Sequence, residues 1–488
     1  MKQIYSRNSP DKKIIFIILL GLIVRIIYVF FFSKFHAFSY YGIASIFAKG
    51  PDINMWLECL DNLIQHGSFT SNINDPDGYF ARMPGYAFFI SLFYFLPGEN
   101  SYLYCLCFFQ VLCDALNIYF IYRISESIFD KKSISYVAAA IYAIHPINLI
   151  WAPFLSADSP AIFLMLWSLF IYTNSKSKYS FFFFGLVAGF NILVRPQMAL
   201  FVLAYFFYFI FLIIKNKNSI ELKNFITFCL AIGLSYGSWP ARNFLFHHEL
   251  VLTHKISAIP CWRKDVEAYV AYNYSVQSNW QPQFDQILQN KPVYIDKGNA
   301  YKYPPDSALL RETIYLCKNY GSGFSEWPSF WKGRIAPNKY DTIIVNNFEL
   351  LRQHQIQYNS FHYWFVLPLE NLKKCFFKLD LLSSKNQLII MAVALIFSFR
   401  TLIIFLGIAG SVYFFRQRKL SVIAPNLLFF SLWYLSISAG DPHLLRNVEM
   451  RYLIQCDTLL IIPAAYLLHS CYEAFIGSGL TTLLRIKR

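Results

Sequence analysis

Two aspartates, four arginines and a tyrosine stand where this chain changes between polar and apolar sequence, and their side chains could do chemistry there. Asp52 lies in Pro51-Asp52-Ile53-Asn54-Met55-Trp56, and Asp158 in Leu155-Ser156-Ala157-Asp158 ahead of an apolar run. Arg82 and Tyr86 share Arg82-Met83-Pro84-Gly85-Tyr86, and Arg195 belongs to Leu193-Val194-Arg195-Pro196. Arg242 follows in Trp239-Pro240-Ala241-Arg242-Asn243, and Arg451 in Glu449-Met450-Arg451-Tyr452. A carboxylate can accept a proton from a hydroxyl. A guanidinium can hold a phosphate through two parallel hydrogen bonds. Each also has a plainer role. An Asp at a helix start often only caps it, an Arg near a span end often reaches back to lipid headgroups, and Asp158 could be an arginine's buried partner.

The elements that must position these residues are membrane-spanning helices. Of the 488 residues, 56% are hydrophobic and only 15% charged, and mean hydropathy is +0.39. Soluble domains carry roughly 25% charged residues, so this chain lacks the polar surface to coat a globule of its size. Apolar runs near the ~20 residues that cross a bilayer recur, as in Ile14–Phe32, Ala199–Ile214 and Leu459–Leu468 with its flanks. Backbone amides in such runs must be satisfied internally, so the runs are helices. The net charge of +15, from 43 basic and 28 acidic residues, does not call for a nucleic-acid partner. The basic residues gather before the first span and in short loops, such as Arg123/Lys131/Lys132, Lys215/Lys217/Lys223 and Arg416/Arg418/Lys419. The positive-inside rule accounts for that pattern.

Placing the basic loops in the cytoplasm orders about ten spans with both termini inside: about 14–33, 101–122, 134–152, 160–173, 180–194, 198–214, 224–239, 388–415, 421–438 and 453–469. Residues 1–240 form an N-terminal membrane module whose first outer loop covers 33–83. The run 84–96 is too short to cross and reads as an interfacial or half-inserted helix. Residues 241–385 are polar throughout and read as an extracytoplasmic soluble domain, and 386–488 supply the C-terminal spans. The run 388–415 is long for one helix, which suggests a partly inserted approach. The first apolar run has no small-residue cleavage site after it and reads as an uncleaved span. Arg25 and Arg400, in or beside apolar runs, would be costly against lipid and should pair in the interior. The ten cysteines show no metal spacing. Cys59, Cys261, Cys317 and Cys375 fall on the outer side, where one disulfide is allowed but not readable. His247, His248 and His254 lack a coherent ligand set and read as surface residues.

The order of these motifs resembles GT-C membrane glycosyltransferases, particularly the bacterial relatives of protein O-mannosyltransferases and of lipid A aminoarabinose transferases. Members follow span one with an Asp, an aromatic, a short amphipathic helix ending near Gly-x-Phe, and an Arg-x-Pro-Gly-Tyr element. Here these are Asp52, Trp56, Gly67/Phe69 and Arg82 to Tyr86. His145-Pro146 and Leu155 to Asp158 are similar to the family's second outer loop, and Leu193 to Pro196 to its Leu-x-Arg-Pro turn. Trp239 to Asn243 resembles an inverted form of its Pro-Trp-x-x-Arg-Asn exit, and Glu449 to Tyr452, with Pro463 downstream, its Arg-Tyr motif. The resemblance covers about 1–255 and 385–470 but not the inserted segment. Trp56 stands where many members have Tyr, and the second acidic residue usual beside the Asp is absent.

The resemblance implies an all-α polytopic GT-C fold and an inverting glycosyltransferase moving a hexosyl or pentosyl group from a polyprenyl-phosphate donor. The acceptor would be a lipid, glycan or protein at the extracytoplasmic face, with membrane lipids as the other partner and a bacterial inner membrane as the setting. It implies Asp52 and Asp158 as catalytic residues and Arg82, Tyr86, Arg195, Arg242 and Arg451 as substrate-binding ones. A phosphate-linked sugar already carries a good leaving group, so the reaction needs a base for the acceptor hydroxyl and cations for the departing phosphate. Asp52 suits the first role and the arginines the second. A divalent cation is compatible with the pattern but not required by it. Three other readings stand beside this one. A transporter or flippase of lipid-linked glycans would place charges mid-span or show a repeat, an O-antigen-ligase-like enzyme would not need the Asp52-to-Tyr86 pattern, and a non-catalytic scaffold gives no reason for acids and arginines to converge.

Overall fold

The structure, a computed structural model, describes residues 11–32, 51–97, 101–175, 177–259, 262–294, 297–329, 335–377, 387–416, 422–441, 446 and 448–486. Among them all regular structure is helical. Asp11 caps α1 (Lys12–Ile27) by accepting from the Lys13 amide, and the helix runs on through a π-helical turn, Tyr28–Phe32. Helices α2 (Pro51–His66) and α3 (Gly85–Ser91) lie between the first two spans, the second of them a short helix within the run 84–96. A bundle follows: α4 (Ser101–Phe129), α5 (Lys132–Ile144), α6 (Pro146–Trp151), α7 (Asp158–Asn174), α8 (Ser180–Val194), α9 (Met198–Asn216) and α10 (Ser219–Ser235). Pro146 breaks the third expected span in two, since it has no amide to donate, and the His145 side chain caps the new helix at Asn148. Helix α11 (Ser238–His247) leaves the bundle.

The inserted segment folds as α12 (Lys264–Val276), α13 (Gln281–Leu288), α14 (Lys297–Ala300), α15 (Asp306–Tyr320), α16 (Ser322–Glu326) and α17 (Lys339–Tyr358). Asn338 and Asp341 form a reciprocal capping box at the start of α17. These helices bury their own core around Tyr269, Phe284, Phe324 and Phe348. Helix α18 (Leu367–Phe377) instead joins the main core through Cys375. The bundle is completed by α19 (Gln387–Arg416), a single helix over the whole long run, with α20 (Ile423–Ala439) and α21 (Met450–Ile486).

Among the described residues, five helical stretches are long and apolar enough to cross a membrane: Lys12–Phe30, Ser101–Phe129, Met198–Asn216, Ile390–Phe415 and Met450–Ile476; α5, α8 and α20 are shorter apolar helices. Large apolar side chains remain exposed along them, among them Phe16, Leu112, Phe211, Leu395 and Leu435. An apolar belt of that extent faces lipid, and the chain is an all-α, polytopic integral membrane protein.

Charges inside the bundle are paired, as expected for Arg25 and Arg400. Arg25 Nε donates to Asp114 Oδ2 at 2.5 Å and its Nη1 to the carbonyls of Gly21 and Ala143. Arg400 donates to Asp457 at 2.7 Å, to the Tyr434 hydroxyl and to the Cys375 carbonyl. Helices α19 and α21 meet at Gly407 and Gly410, where an added Cβ would fall within 2.6 Å of Leu460 and 2.1 Å of the Pro463 carbonyl. Small residues permit that approach in the absence of a hydrophobic drive between helices in lipid.

Candidate active site at one end of the bundle

Four of the motif residues sit at helix ends that the fold gathers at one end of the bundle. Asp158 opens α7, Arg195 ends α8, Arg451 lies in the first turn of α21, and Tyr86 lies in the first turn of α3.

The strongest grouping is Asp158, Arg195, Tyr452 and Arg451. Asp158 is buried, accepts from Ser156 Oγ at 2.8 Å and from Gln455 Nε2 at 3.4 Å, and forms an ion pair with Arg195 Nη1. The Arg195 guanidinium stands 5.2 Å from the Tyr452 ring centre and that of Arg451 4.9 Å from the same ring. Arg451 also donates to Glu449 at 2.7 Å and to the Tyr452 hydroxyl at 3.0 Å. Arg195 is 7% exposed, and its Nε and Nη2 have no hydrogen-bond partner among the described residues. Buried donors left unmatched cost roughly 1–3 kcal/mol each, so this guanidinium has room for an acceptor that the described residues do not supply.

A second grouping packs directly against it. Gly85 approaches α8 so closely that an added Cβ would sit 2.3 Å from the Val194 amide nitrogen and 2.6 Å from the Leu193 carbonyl oxygen. Two motifs read separately from the sequence are thus one contact. Arg82 lies over the Trp56 ring at 4.5 Å and donates to Met55 Sδ at 3.1 Å. Trp56 donates to the Met83 carbonyl and meets Tyr86 edge to face at 5.0 Å. Tyr86 is fully buried and donates to Gln110 Oε1 at 2.9 Å, while Gln110 Nε2 donates to the Phe154 carbonyl at 2.7 Å. That chain ties the first long loop to the segment just before Asp158.

Arg242 is spent differently. It donates to the carbonyls of Tyr79 and Phe69, both at 3.0 Å, and to Asn243 Oδ1 at 2.9 Å. It therefore staples α11 to the first loop and is not gathered with Arg195 and Arg451. Asp52 lies in the first turn of α2, one turn before Met55 and Trp56, and its side chain is outside the described part of the structure. Burial pushes the nearby Cys59 thiol up to about 12, against the pull of Arg82, so it is no nucleophile at neutral pH. No group of three His, Cys, Asp or Glu side chains suited to a metal occurs among the described residues. Of the four cysteines considered for a disulfide, Cys59, Cys317 and Cys375 form none, and Cys261 lies outside the described residues.

Sequence reasoning did not single out Gln455, Gln110 or the Tyr452 ring as site residues. Gln455 was within reach, four positions after Arg451 on one helix, where side chains share a face. Gln110 gave no local signal, because only the fold brings it beneath Tyr86.

Residues 81–239, about a third of the chain, match the family model described as dolichyl-phosphate-mannose-protein mannosyltransferase. The expected resemblance to GT-C glycosyltransferases is met over that segment, which holds Arg82, Tyr86, Asp158 and Arg195. No curated protein matches the chain. Among solved structures it is similar to the archaeal oligosaccharyltransferase AglB from Archaeoglobus fulgidus in complex with an inhibitory peptide and a dolichol-phosphate. There the identity is 13%, coverage 98% of this chain and 52% of the other, and the TM-score 0.47. An A. fulgidus oligosaccharyltransferase structure with Zn and sulfate gives 12%, 96%, 50% and 0.39. ArnT from Cupriavidus metallidurans in the apo state gives 12%, 93%, 77% and 0.33. The chain spans about half the length of the two archaeal structures.

Proposed function

We propose that this protein is an inverting glycosyltransferase that moves a sugar from a polyprenyl-phosphate donor to a lipid, glycan or protein hydroxyl on the extracytoplasmic side of a bacterial inner membrane. The observation that carries the reading is Arg195: a nearly buried guanidinium with two donors unmatched among the described residues, sharing the Tyr452 ring with Arg451. A departing phosphate is the acceptor such a pair is built to take. Guanidinium groups bind it through parallel hydrogen bonds and offset the charge that grows on it in the transition state. Arg82, held over Trp56, is a third cation at the same end of the bundle. Asp158 fixes the Arg195 fork through one of its nitrogens. Asp52 serves as the base for the acceptor hydroxyl, and direct displacement inverts the anomeric centre. The match of 81–239 to a family named for dolichyl-phosphate-mannose chemistry supports the class of donor.

The transporter reading fares less well. Arg25, Asp114, Arg400 and Asp457 are paired off inside the core, so these buried charges are spent on one another.

The test is a mass profile of cell-envelope glycans from cells lacking the gene product, complemented with wild type or with Asp52→Asn. Asn caps a helix as well as Asp but takes no proton, and a general base contributes roughly 10²- to 10⁴-fold. The expected outcome is a glycan mass lost without the protein, restored by wild type and not by Asp52→Asn. An unchanged profile in the null cells sinks the glycosyltransferase reading, and full rescue by Asp52→Asn removes only the base assignment.

A further inference from the structure

The polar segment between the spans ends in a helix that does not belong with the rest of it. The π-helical turn His362–Val366 runs directly into α18. One stripe of this helix, Tyr363, Leu367, Asn371 and Cys375, is buried at every fourth position, the repeat expected of a helix with one packed face. Its partner is α20: Asn371 Nδ2 donates to the Ser438 carbonyl at 3.2 Å, and Phe376 meets Tyr434 at 5.3 Å. The exposed side carries Phe361, Trp364, Phe365, Leu369 and Phe377, each between 55% and 72% exposed, together with the charged Glu370 and Lys373.

We propose that this helix is inserted in one leaflet of the bilayer, with that exposed face against lipid and its C-terminal end below the headgroups. Three observations point to lipid as the occupant. First, the apolar face continues that of a span: Phe376 stacks on Phe405 of α19 at 5.4 Å and 15°, and Phe377 lies 6.2 Å from the same ring. Phe405 is itself 47% exposed on a helix apolar enough to cross a membrane.

Second, the last carbonyls of α18 are taken by side chains of that span. Arg400 Nη1 donates to Cys375 at 2.8 Å, and Thr401 Oγ1 donates to Phe376 at 2.7 Å. A helix end in water needs no such service, whereas one in hydrocarbon must have every carbonyl satisfied by protein. Arg400, buried in the bundle and paired with Asp457, gains a second purpose as the cap of this helix.

Third, the depth fits. Asn371 is level with Ser438, next to the end of α20. The six residues from there to Phe377 carry the helix about 9 Å further at ~1.5 Å per residue, within the ~5–10 Å to which interfacial helices bury. Lys374 turns away from the lipid face to Ser278, the exposed Lys373 has the stem length to reach back to the headgroups, and Trp364 sits at the entry, where aromatic residues favour the headgroup boundary.

The test uses the full chain in nanodiscs of phosphatidylethanolamine and phosphatidylglycerol. p-Benzoylphenylalanine is placed at position 365 or 369, with exposed Gln353 of α17 as the control site. After irradiation, intact mass is expected to show phospholipid adducts at 365 and 369 several-fold above position 353. Adducts no more frequent than at 353 overturn the proposal. So does a crosslinked dimer as the main product, which puts a second copy on this face. Should the substituted chains not fold, quenching by acyl-brominated lipids reads the same question from the difference between wild type and Trp364→Phe. Emission from Trp364 that resists quenching overturns the proposal equally.

Discussion

Arg195 concentrates the chemistry of the site in one side chain. Its Nη1 is engaged by Asp158, its face by Tyr452, and its other two nitrogens by nothing among the described residues. Replacing it with Ala removes the donors but also leaves Asp158 buried without its counter-ion, which destabilises by itself. Lys separates the two effects, since it keeps a charge for Asp158 without the planar fork. For Arg195→Lys, affinity for a polyprenyl phosphate, measured by native mass spectrometry, is expected to fall about 10-fold or more, the equivalent of the ~1.5–3 kcal/mol of a hydrogen bond to a charged group. Binding equal to wild type would mean that the phosphate sits elsewhere. At this scale the sequence put forward the candidate residues, because type and motif are local properties. It could not divide them by task. Arg242 and Arg451 looked alike as letters, yet one is spent on two loop carbonyls and the other stands over the Tyr452 ring.

Among the elements, α3 carries the most consequence for its size. Seven residues long, it is too short to be stable alone and holds its place by packing on α2, α4 and α8. Gly85 sets the spacing, since any side chain there meets the backbone of Leu193 and Val194. Gly85→Ala should therefore push α3 and Arg82 away from Arg195, at roughly the 1–3 kcal/mol typical of overpacking. Gly233→Ala is the matched control, with open space around it. Thermal unfolding followed by tryptophan emission should show the first variant melting several degrees below wild type and the second unchanged. Equal midpoints for both would mean that α3 can shift freely. Helix length and apolarity made the spans legible in advance. The break at His145–Pro146 and the departure of α18 from the inserted segment were not, because each depends on what the helix packs against.

For the whole molecule, orientation follows from where the basic loops lie. Reporter fusions at Ser71 and Gln281 are expected to give extracytoplasmic signals and those at Lys131 and Asn216 cytoplasmic ones. A cytoplasmic signal at Gln281 would invert the architecture and put the site on the wrong side for the proposed reaction. The amino-acid sequence by itself determined that the chain is a helical membrane protein, since 15% charged residues cannot coat a soluble fold and lipid forbids unpaired backbone. It also determined the identity and order of the motifs, which need only neighbouring residues to be read. The tertiary structure alone decided which motifs meet. Gly85 against Val194, Gln455 on Asp158 and Arg400 on the Cys375 carbonyl join positions 25 to 297 residues apart. The physical reason is that such contacts depend on helix rotation and depth, which every packed neighbour sets together and no local stretch of sequence encodes.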